Sequence, residues 1–500
     1  MTAPAQIARC TASVKKTVLT SCRRQLATLF DDRECSSNGR ALEQAVWTVL
    51  VEVGRQVLEA LLTLECWRVA KPEFDATPSA RLRLDEDYTL SQMTTLGTVR
   101  VPLFAFRGPD GKTHAPARSA VFPHHPHCRS SELCLEWEAR LGSQLPFRQA
   151  QDSLTFFTHG ATALQDSTIA RHITTIGAVL DRSWTYRQPD DIAQILDQRA
   201  TRDAQTARPL LYFSTDAHAL RRYVDDSYDA PWKMINGIRM WCVDKTNGQI
   251  VHLGGEYTWG DCREVATRFR AVVAEYVPTG DEAPQVVMIT DGMEWIRTHV
   301  FPQMPSDTVF ILDFYHAIEH VAAYARARFG AGTKAAKAWY AKVRTQLYGK
   351  RGYRRSKRQK RRGPRGPGRP RRGRKTVHPS INSHGAGEAL ARQLIEEEVP
   401  DAHHQDLDAL LHYVAENADR MNYPSYRQRG IQVGSGAMES LHRIASQMRL
   451  KLAGARWLAD NALAVLNTRM MALAGRWADF WGSPDLTARL TRAFVPEAVA

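Results

Sequence analysis

Three acidic residues of this chain are candidates for metal-assisted chemistry. Asp216 ends the apolar run 210–215, and Asp291 ends the apolar run 285–290. Glu439 follows a Gly-Ser-Gly sequence that predicts the start of a helix. Carboxylates on two neighbouring strand ends and one helix can together hold two Mg²⁺ ions, which is the arrangement that activates an oxygen nucleophile for attack on phosphate. The residue types therefore predict chemistry on nucleic acid strands.

The segments around the aspartates predict the elements that position them. Continuous apolar runs indicate strands buried on both faces of an α/β sheet. Residues 235–243 and 249–257 predict a hairpin, because an Asn-Gly pair lies in the loop between them. Asp261 begins a helix with a capping-box spacing, and 309–313 forms a fifth strand. Ribonuclease H-like folds have this order, with the first and fourth strands as neighbours.

Three segments carry a resemblance to a known family. Ile-Thr-Asp-Gly at 289–292, Ile-Leu-Asp-Phe-Tyr-His-Ala-Ile-Glu-His at 311–320 and Gly-Ser-Gly-Ala-Met-Glu at 434–439 resemble DDE transposases of bacterial insertion sequences, most closely the ISKra type. The resemblance covers about residues 90 to 480. It implies that the catalytic and metal-binding residues are Asp216, Asp291 and Glu439.

The first aspartate is the position where this chain departs from the family. The family has Asp-Gly there, whereas Asp216 is followed by Ala217. The alternatives, which lie in a polar stretch, are Asp225, Asp226 and Asp229. The resemblance also implies a supporting role at the active site for Asp313 and His316, and the alternative is an Asp that caps a helix beside a locally satisfied His.

The resemblance further implies cofactors and partners. The cofactor would be two Mg²⁺ ions, with Mn²⁺ as a substitute, and the partner double-stranded DNA, both transposon terminal inverted repeats and target DNA. A homodimer or a larger assembly on DNA is expected, in the bacterial cytoplasm at the nucleoid and not at a membrane. Two other functions stay open, namely a metal-dependent nuclease without strand transfer and a domesticated DNA-binding protein that no longer cleaves.

One segment accounts for the basic charge of the chain. The net charge is +14, and residues 350–375 contain fifteen Lys or Arg and no acidic residue, which leaves 14 − 15 = −1 for the remainder. Its Gly and Pro content predicts disorder until it meets phosphate. We expect it to clamp DNA, although a solvated or localisation-type run is the alternative. Its expected DNA contacts are Arg354, Arg355, Lys357, Arg358, Arg361 and Arg362.

The second helix of a predicted helix-turn-helix and the helix that follows Glu439 are also expected to contact DNA. Residues 147–157 and 166–180 predict a helix-turn-helix, with Phe157 and Ile173 on its inner faces and Arg171 and His172 on the outer face of its second helix. The helix after Glu439 is basic. Its expected phosphate contacts are Arg443, Arg449 and Lys451.

The region before the helix-turn-helix predicts short strands at 96–106 and 119–122. The sequence His124-His125-Pro126-His127-Cys128, with Cys134 beyond it, lacks paired Cys-x-x-Cys, so no structural zinc is expected and the histidines should lie on the surface. Residues 45–64 are apolar but interrupted by Glu52, Arg55 and Glu59, which predicts an amphipathic helix and no membrane span.

The expected fold is α/β, with a ribonuclease H-like core interrupted by a mostly α-helical insertion and preceded by an α+β DNA-binding region. The expected domains are a helical region at 1–85, a small β-rich region resembling a degenerate zinc ribbon at 86–135, the helix-turn-helix region at 136–200, the first part of the core at 205–324, the insertion at 325–425, the second part of the core at 426–482 and a tail at 483–500.

Overall fold

The computed structural model describes residues 16–29, 38–125, 127–223, 231–280, 283–349 and 385–495. They form two compact units. Unit 1 comprises Met1–Tyr186, Leu220–Lys233 and Ile444–Ala500, and unit 2 comprises Arg187–Ala219 and Met234–Arg443. The basic segment 350–375, with its six expected DNA contacts, and the alternative aspartates Asp225, Asp226 and Asp229 lie outside the described residues.

Unit 1 begins with a long helix and a small β-rich region. Pro116 stands at the first position of a helix, where a missing N–H costs nothing, so the strand expected at 119–122 is wrong and these residues belong to the end of that helix. The elements are α1 (16–29), α2 (Gly39–Ala76), β1 (Arg81–Arg83), β2 (Thr89–Thr94), β3 (Gly97–Pro102), β4 (Ala105–Arg107), β5 (Thr113–His114), α3 (Pro116–Val121), α4 (Glu132–Gln144), α5 (Phe147–Phe157), α6 (Asp166–Ala178) and α7 (Arg182–Thr185).

The five-stranded sheet is built as the apolar runs predict. After α8 (Pro189–Arg199), the chain forms β6 (Leu210–Arg221), β7 (Trp232–Val243), β8 (Ile250–Thr258), α9 (Cys262–Tyr276), β9 (Gln285–Thr290) and β10 (Val309–Leu312). The sheet order is β10-β9-β6-β7-β8, in which β9 runs parallel to both β6 and β10, and β7 and β8 are antiparallel. The hairpin and the pairing of the first with the fourth strand are therefore confirmed.

The first strand is longer than expected. It continues to Arg221, five residues beyond Asp216, so the expectation that Asp216 ends the strand is wrong. The residues up to Thr215 are buried, and those from Asp216 to Ala219 are half-buried. Asp216 therefore lies where the strand leaves the buried core.

The expected helical insertion is present on both sides of the basic segment. The elements after the sheet are α10 (Phe314–Phe329), α11 (Lys334–Tyr348), α12 (Ala386–Ile395), α13 (His404–Asn417), α14 (Tyr423–Gln428) and α15 (Gly436–Leu441). The turn between α10 and α11 contains Gly330 and Gly332, whose positive φ values of 84° and 78° are readily adopted by glycine.

The last helices return to unit 1. They are α16 (Met448–Leu450), α17 (Ala459–Leu473), α18 (Trp477–Trp481) and α19 (Leu486–Phe494). Ala464 of α17 contacts Gly177 of α6, and Asn467 donates to the Gly177 carbonyl at 3.2 Å. Because residues from Ile444 onward pack with the N-terminal helices, the boundary between units differs from the expected core segment 426–482. Across the described ranges, no helix is both long enough and apolar enough to cross a membrane.

Candidate active site

Three aspartates follow one another along the same edge of the sheet. Phe213 of β6 pairs with Met288 of β9, and Asp216 and Asp291 each lie three residues beyond that pair. Asp313 follows Leu312, and its N–H donates to the Thr290 carbonyl at 2.7 Å. Strands β9 and β10 end at this level of the sheet, whereas β6 continues past it. The register therefore places these carboxylates on adjacent strands, as the sequence predicts for Asp216 and Asp291.

The charge of Asp216 acts on the neighbouring carboxyl of Asp291. Burial raises the pKa of Asp291 above its ordinary value, and the negative charge of Asp216 adds to this rise, while the hydrogen bond from the Met293 N–H and the charge of His316 oppose it. A like charge raises a carboxyl pKa only when it is near. Asp216 and Asp291 therefore form an electrostatic pair, whose repulsion a divalent cation would relieve.

A histidine on the helix that follows Glu439 contacts Asp216. The His442 Nε2 atom lies 3.5 Å from Asp216 Oδ2, and the Tyr257 hydroxyl lies 3.2 Å from His442 Nδ1. Burial opposes ionisation of Asp216, but the His442 ring beside it outweighs burial and lowers the pKa of this carboxyl. His442 was grouped by sequence with the basic residues of this helix. The sequence signal that could have indicated a place for His442 beside the site is its position three residues after Glu439, on the same helical face.

Strand β7 holds the helix that carries Glu439. The buried Arg239 guanidinium donates to the Ala437 carbonyl in the first turn of α15. A side chain at Gly237 would lie 2.6 Å from the Met438 Cε atom and 2.9 Å from the His442 ring. The absence of a Cβ at Gly237 therefore lets α15 approach the sheet closely. Glu439 itself is exposed on α15.

Asp313 is a positioning residue. Its carboxylate, which is buried, accepts from the backbone N–H groups of Tyr315 at 2.6 Å and His316 at 2.9 Å, and also from the Ser435 N–H. It thereby caps α10 and fixes the turn that precedes α15. His316 is half-buried, with Nδ1 3.9 Å from Glu319 Oε2.

The donor types fit hard divalent cations. Asp216, Asp291 and Glu439 offer carboxylate oxygens, which Mg²⁺ and Mn²⁺ prefer. Within the ranges that the structure covers, no group of three or more His, Cys, Asp or Glu side chains is arranged so that it could hold a metal ion. The metal assignment therefore stays a prediction from residue type and strand register.

The expected helix-turn-helix residues lie differently from the sequence prediction in two places. Ile173 is buried as expected, and Arg171 is exposed. His172 is buried, so its assignment to the outer face and to DNA is wrong. Phe157, expected inside, is 58% exposed and packs edge to face on Phe156.

A buried polar network explains the position of His172. Its Nδ1 atom lies 2.6 Å from Glu138 Oε2 on α4, and its Nε2 atom lies 3.7 Å from the Cys128 Sγ atom. His124 is also buried, so the expectation of surface histidines is wrong for this residue. His172 lies on the same face of α6 as Ile169 and Ile173, and α4 packs on that face through Gly142 and Glu138.

The basic residues after Glu439 divide into exposed and buried positions. Arg443 and Lys451 are exposed. Arg449 is buried, donates to the Gly142 carbonyl at 3.0 Å and lies 4.4 Å from the Phe147 ring centroid, so its assignment to DNA is wrong. Burial lowers its pKa to about 10.

Comparisons with known proteins add little to this description. No protein-family model and no curated protein matches the chain. Among solved structures, the chain is similar to the Drosophila P element transposase strand transfer complex, at 9% identity and a TM-score of 0.24, over 72% of this chain and 83% of that one. A similarity at that TM-score establishes neither fold nor function. The functional conclusion rests on the site.

Proposed function

We propose that this protein is a DDE transposase of ribonuclease H-like fold that cleaves and joins DNA strands. The observation that carries the proposal is the strand register that places Asp216 and Asp291 side by side on neighbouring strands, with the Glu439 helix tied to the same edge by His442 and Asp313. An edge that gathers carboxylates against their mutual repulsion is suited to a multivalent cation.

The sheet supports the fold assignment. Counted along the chain, its strands lie in the order fifth, fourth, first, second, third, and the first, fourth and fifth are parallel. Ribonuclease H-like folds have this order. The helices of the insertion lie between the second aspartate and the glutamate in sequence, which separates Asp291 from Glu439 by 148 residues (439 − 291).

The residues of this chain have distinct roles in the proposed reaction. Asp216, Asp291 and Glu439 would hold the cations, and His442 orients the Asp216 carboxylate. When bound, two Mg²⁺ ions stabilise charge on the phosphate and lower the pKa of water or a 3′-hydroxyl. Asp313 keeps the turn before α15 in place, and Asp313 and His316 remain proposed supports of the site.

Double-stranded DNA is the proposed partner, as transposon ends and as target. The exposed cations available for phosphate contacts in the described residues include Arg171, Arg443 and Lys451. The segment 350–375 adds fifteen cations in sequence. Phosphate contacts would position the duplex, whereas recognition of terminal repeats needs contacts to base edges.

The test replaces each carboxylate by its amide. Asp216→Asn, Asp291→Asn and Glu439→Gln keep side-chain volume but remove the charge that binds metal, so each should reduce Mg²⁺-dependent cleavage at least about 100-fold, or about 2.7 kcal/mol in barrier. The substrate is a duplex carrying the DNA that flanks the gene. Asp408→Asn is the matched control, because this carboxylate is exposed on α13 and is not one of the proposed site residues.

Binding and strand joining are measured on the same preparations. We expect binding to persist in all three variants. Full cleavage by any one variant would remove that residue from the site. Cleavage without joining by the wild type would identify a nuclease, and binding without cleavage would identify a DNA-binding protein that has lost catalysis.

A further inference from the structure

Helix α2 carries two apolar faces, of which one is packed. The helix has 38 residues, a length of about 57 Å at 1.5 Å per residue. Its C-terminal part buries Cys66, Trp67, Ala70 and Phe74 in the core that it shares with β2 and β3. Further toward its N-terminus, Gly54 approaches the Leu96 side chain so closely that a Cβ would lie 3.2 Å away. The C-terminal part of α2 therefore packs on unit 1 itself, and Gly54 adds a contact at a different angle around the helix.

The second apolar face forms a stripe along most of the helix. At about 100° per residue its members fall within an arc of about 100°. Leu42, Val46, Leu50, Val57 and Leu61 are 46%, 43%, 50%, 39% and 58% exposed. The stripe, completed by two half-buried residues, consists of Leu42, Val46, Leu50, Val53, Val57, Leu61 and Leu64. Five large apolar side chains on one helical face are more than the scattered exposure that a monomer surface shows.

The spacing of the stripe identifies the kind of partner that fits it. Five residues of the stripe, at 46, 50, 53, 57 and 64, together with Ala60 in the same arc, alternate in steps of four and three and give Val, Leu, Val, Val, Ala and Leu. An unbroken apolar repeat of this kind seats another helix with the same repeat. Across the described residues the next longest helix is α10, with 16 residues. A second α2 matches the stripe in both length and repeat.

We propose that α2 pairs with α2 of a second copy of this chain in a coiled coil centred on Val53. A two-fold interface uses the same patch on both copies, which the single stripe supplies. Val53 lies eleven residues from both Leu42 and Leu64, so it meets Val53 of the second copy whether the helices run parallel or antiparallel. The pairing rests on unit 1 alone and is independent of the proposed catalytic function.

The first experiment is a disulfide cross-link in the full chain. Val53→Cys should form a covalent dimer under mild oxidation. Thr48→Cys is the matched control, because Thr48 is exposed on the same helix but lies about 140° away from Val53 around the axis. Equal cross-linking of both variants, or none of Val53→Cys, overturns the proposal.

The second experiment measures mass in solution. The wild type should sediment as a dimer at micromolar concentration. The double variant Leu50→Asp with Val57→Asp should weaken dimerisation at least tenfold, since it places charges where the two stripes would pack on each other. Thr48→Asp should dimerise as the wild type does. The melting temperature of the double variant, measured beside that of Thr48→Asp, shows whether the core around Phe74 is intact. A monomeric wild type, or a dimeric double variant with an intact core, excludes this interface, whatever the outcome of the cleavage assays.

Discussion

His172 is a buried histidine that should make stability depend on pH. Burial opposes its charge, but the hydrogen bonds to Cys128 and Glu138 and the charge of Glu138 outweigh it and raise the pKa of His172 to about 9. An unfolded histidine titrates near pH 6.5. The folded state therefore binds the proton more tightly, so this contribution is complete below about pH 6.5 and is lost as the pH rises toward 9.

We predict that unfolding free energy falls over this pH window by an amount on the order of 3 kcal/mol. The measurement is chemical denaturation at several pH values for the wild type and for His172→Gln with Glu138→Gln, in which the loss should be absent. His412→Gln, in an exposed pair with Glu416, is the control and should keep the wild-type dependence. Parallel curves for the wild type and the double variant would show that His172 is neutral when buried.

The same residue shows how far a sequence can place a side chain. Helical periodicity correctly buried Ile169 and Ile173. The same spacing places His172, three residues after Ile169 and four before Ile176, on the buried face, and its polar type led to the wrong assignment to the outer face. Asp216 and Asp291 were found because each follows an apolar run. The position of His442 three residues after Glu439 places it beside the site, but its contact with Asp216 joins residues 226 apart (442 − 216) and cannot be read from local sequence.

At the level of elements, the closest helix contact depends on one glycine. Gly177 of α6 lies against the backbone of Ala464 in α17, where a Cβ would overlap the carbonyl oxygen. The contact joins a helix from the N-terminal stretch to one from the C-terminal stretch of unit 1. Backbone atoms cannot rotate away as a side chain can, so the helices must separate to admit any larger residue.

We predict that Gly177→Ala lowers unfolding free energy by about 2 to 3 kcal/mol, as overpacking of a tight contact does. Gly39→Ala is the control, since no atom lies within 4 Å of its Cβ position, and it should change stability by less than about 0.5 kcal/mol. Thermal or chemical denaturation of both variants measures the difference. A neutral Gly177→Ala would mean that α6 and α17 can shift apart at little cost.

Sequence patterns determined elements unevenly. The apolar runs of the sheet and the Asp261 cap of α9 were sufficient, because buried strands and N-caps are local signals. The extension of β6 beyond Asp216 depends on pairing with a neighbouring strand. The helix that contains Ser119 begins at Pro116, and the short apolar run after Ser119 does not by itself distinguish a helix from a strand.

For the molecule as a whole, charge is concentrated in one stretch of sequence. Without 350–375 the chain has a net charge of about −1, by the difference 14 − 15. Two copies joined through α2 would present two such segments to one DNA molecule. Neutralising phosphates releases counterions, which makes affinity fall steeply with salt. Non-specific affinity should therefore depend on this segment more than on other cations of the chain.

The prediction compares two triple variants that remove equal charge. The first variant replaces Arg354, Arg355 and Arg358 by Gln. It should reduce the slope of log affinity against log salt by up to about 2.7, at roughly 0.9 for each phosphate that is no longer neutralised. The second variant replaces Lys334, Lys337 and Lys342, which are exposed on α11, by Gln. It removes the same charge and should leave the slope nearly unchanged. Binding of a random duplex is titrated at several salt concentrations. If both variants shift the slope equally, net charge rather than this segment governs binding; if neither does, the segment does not contact phosphate.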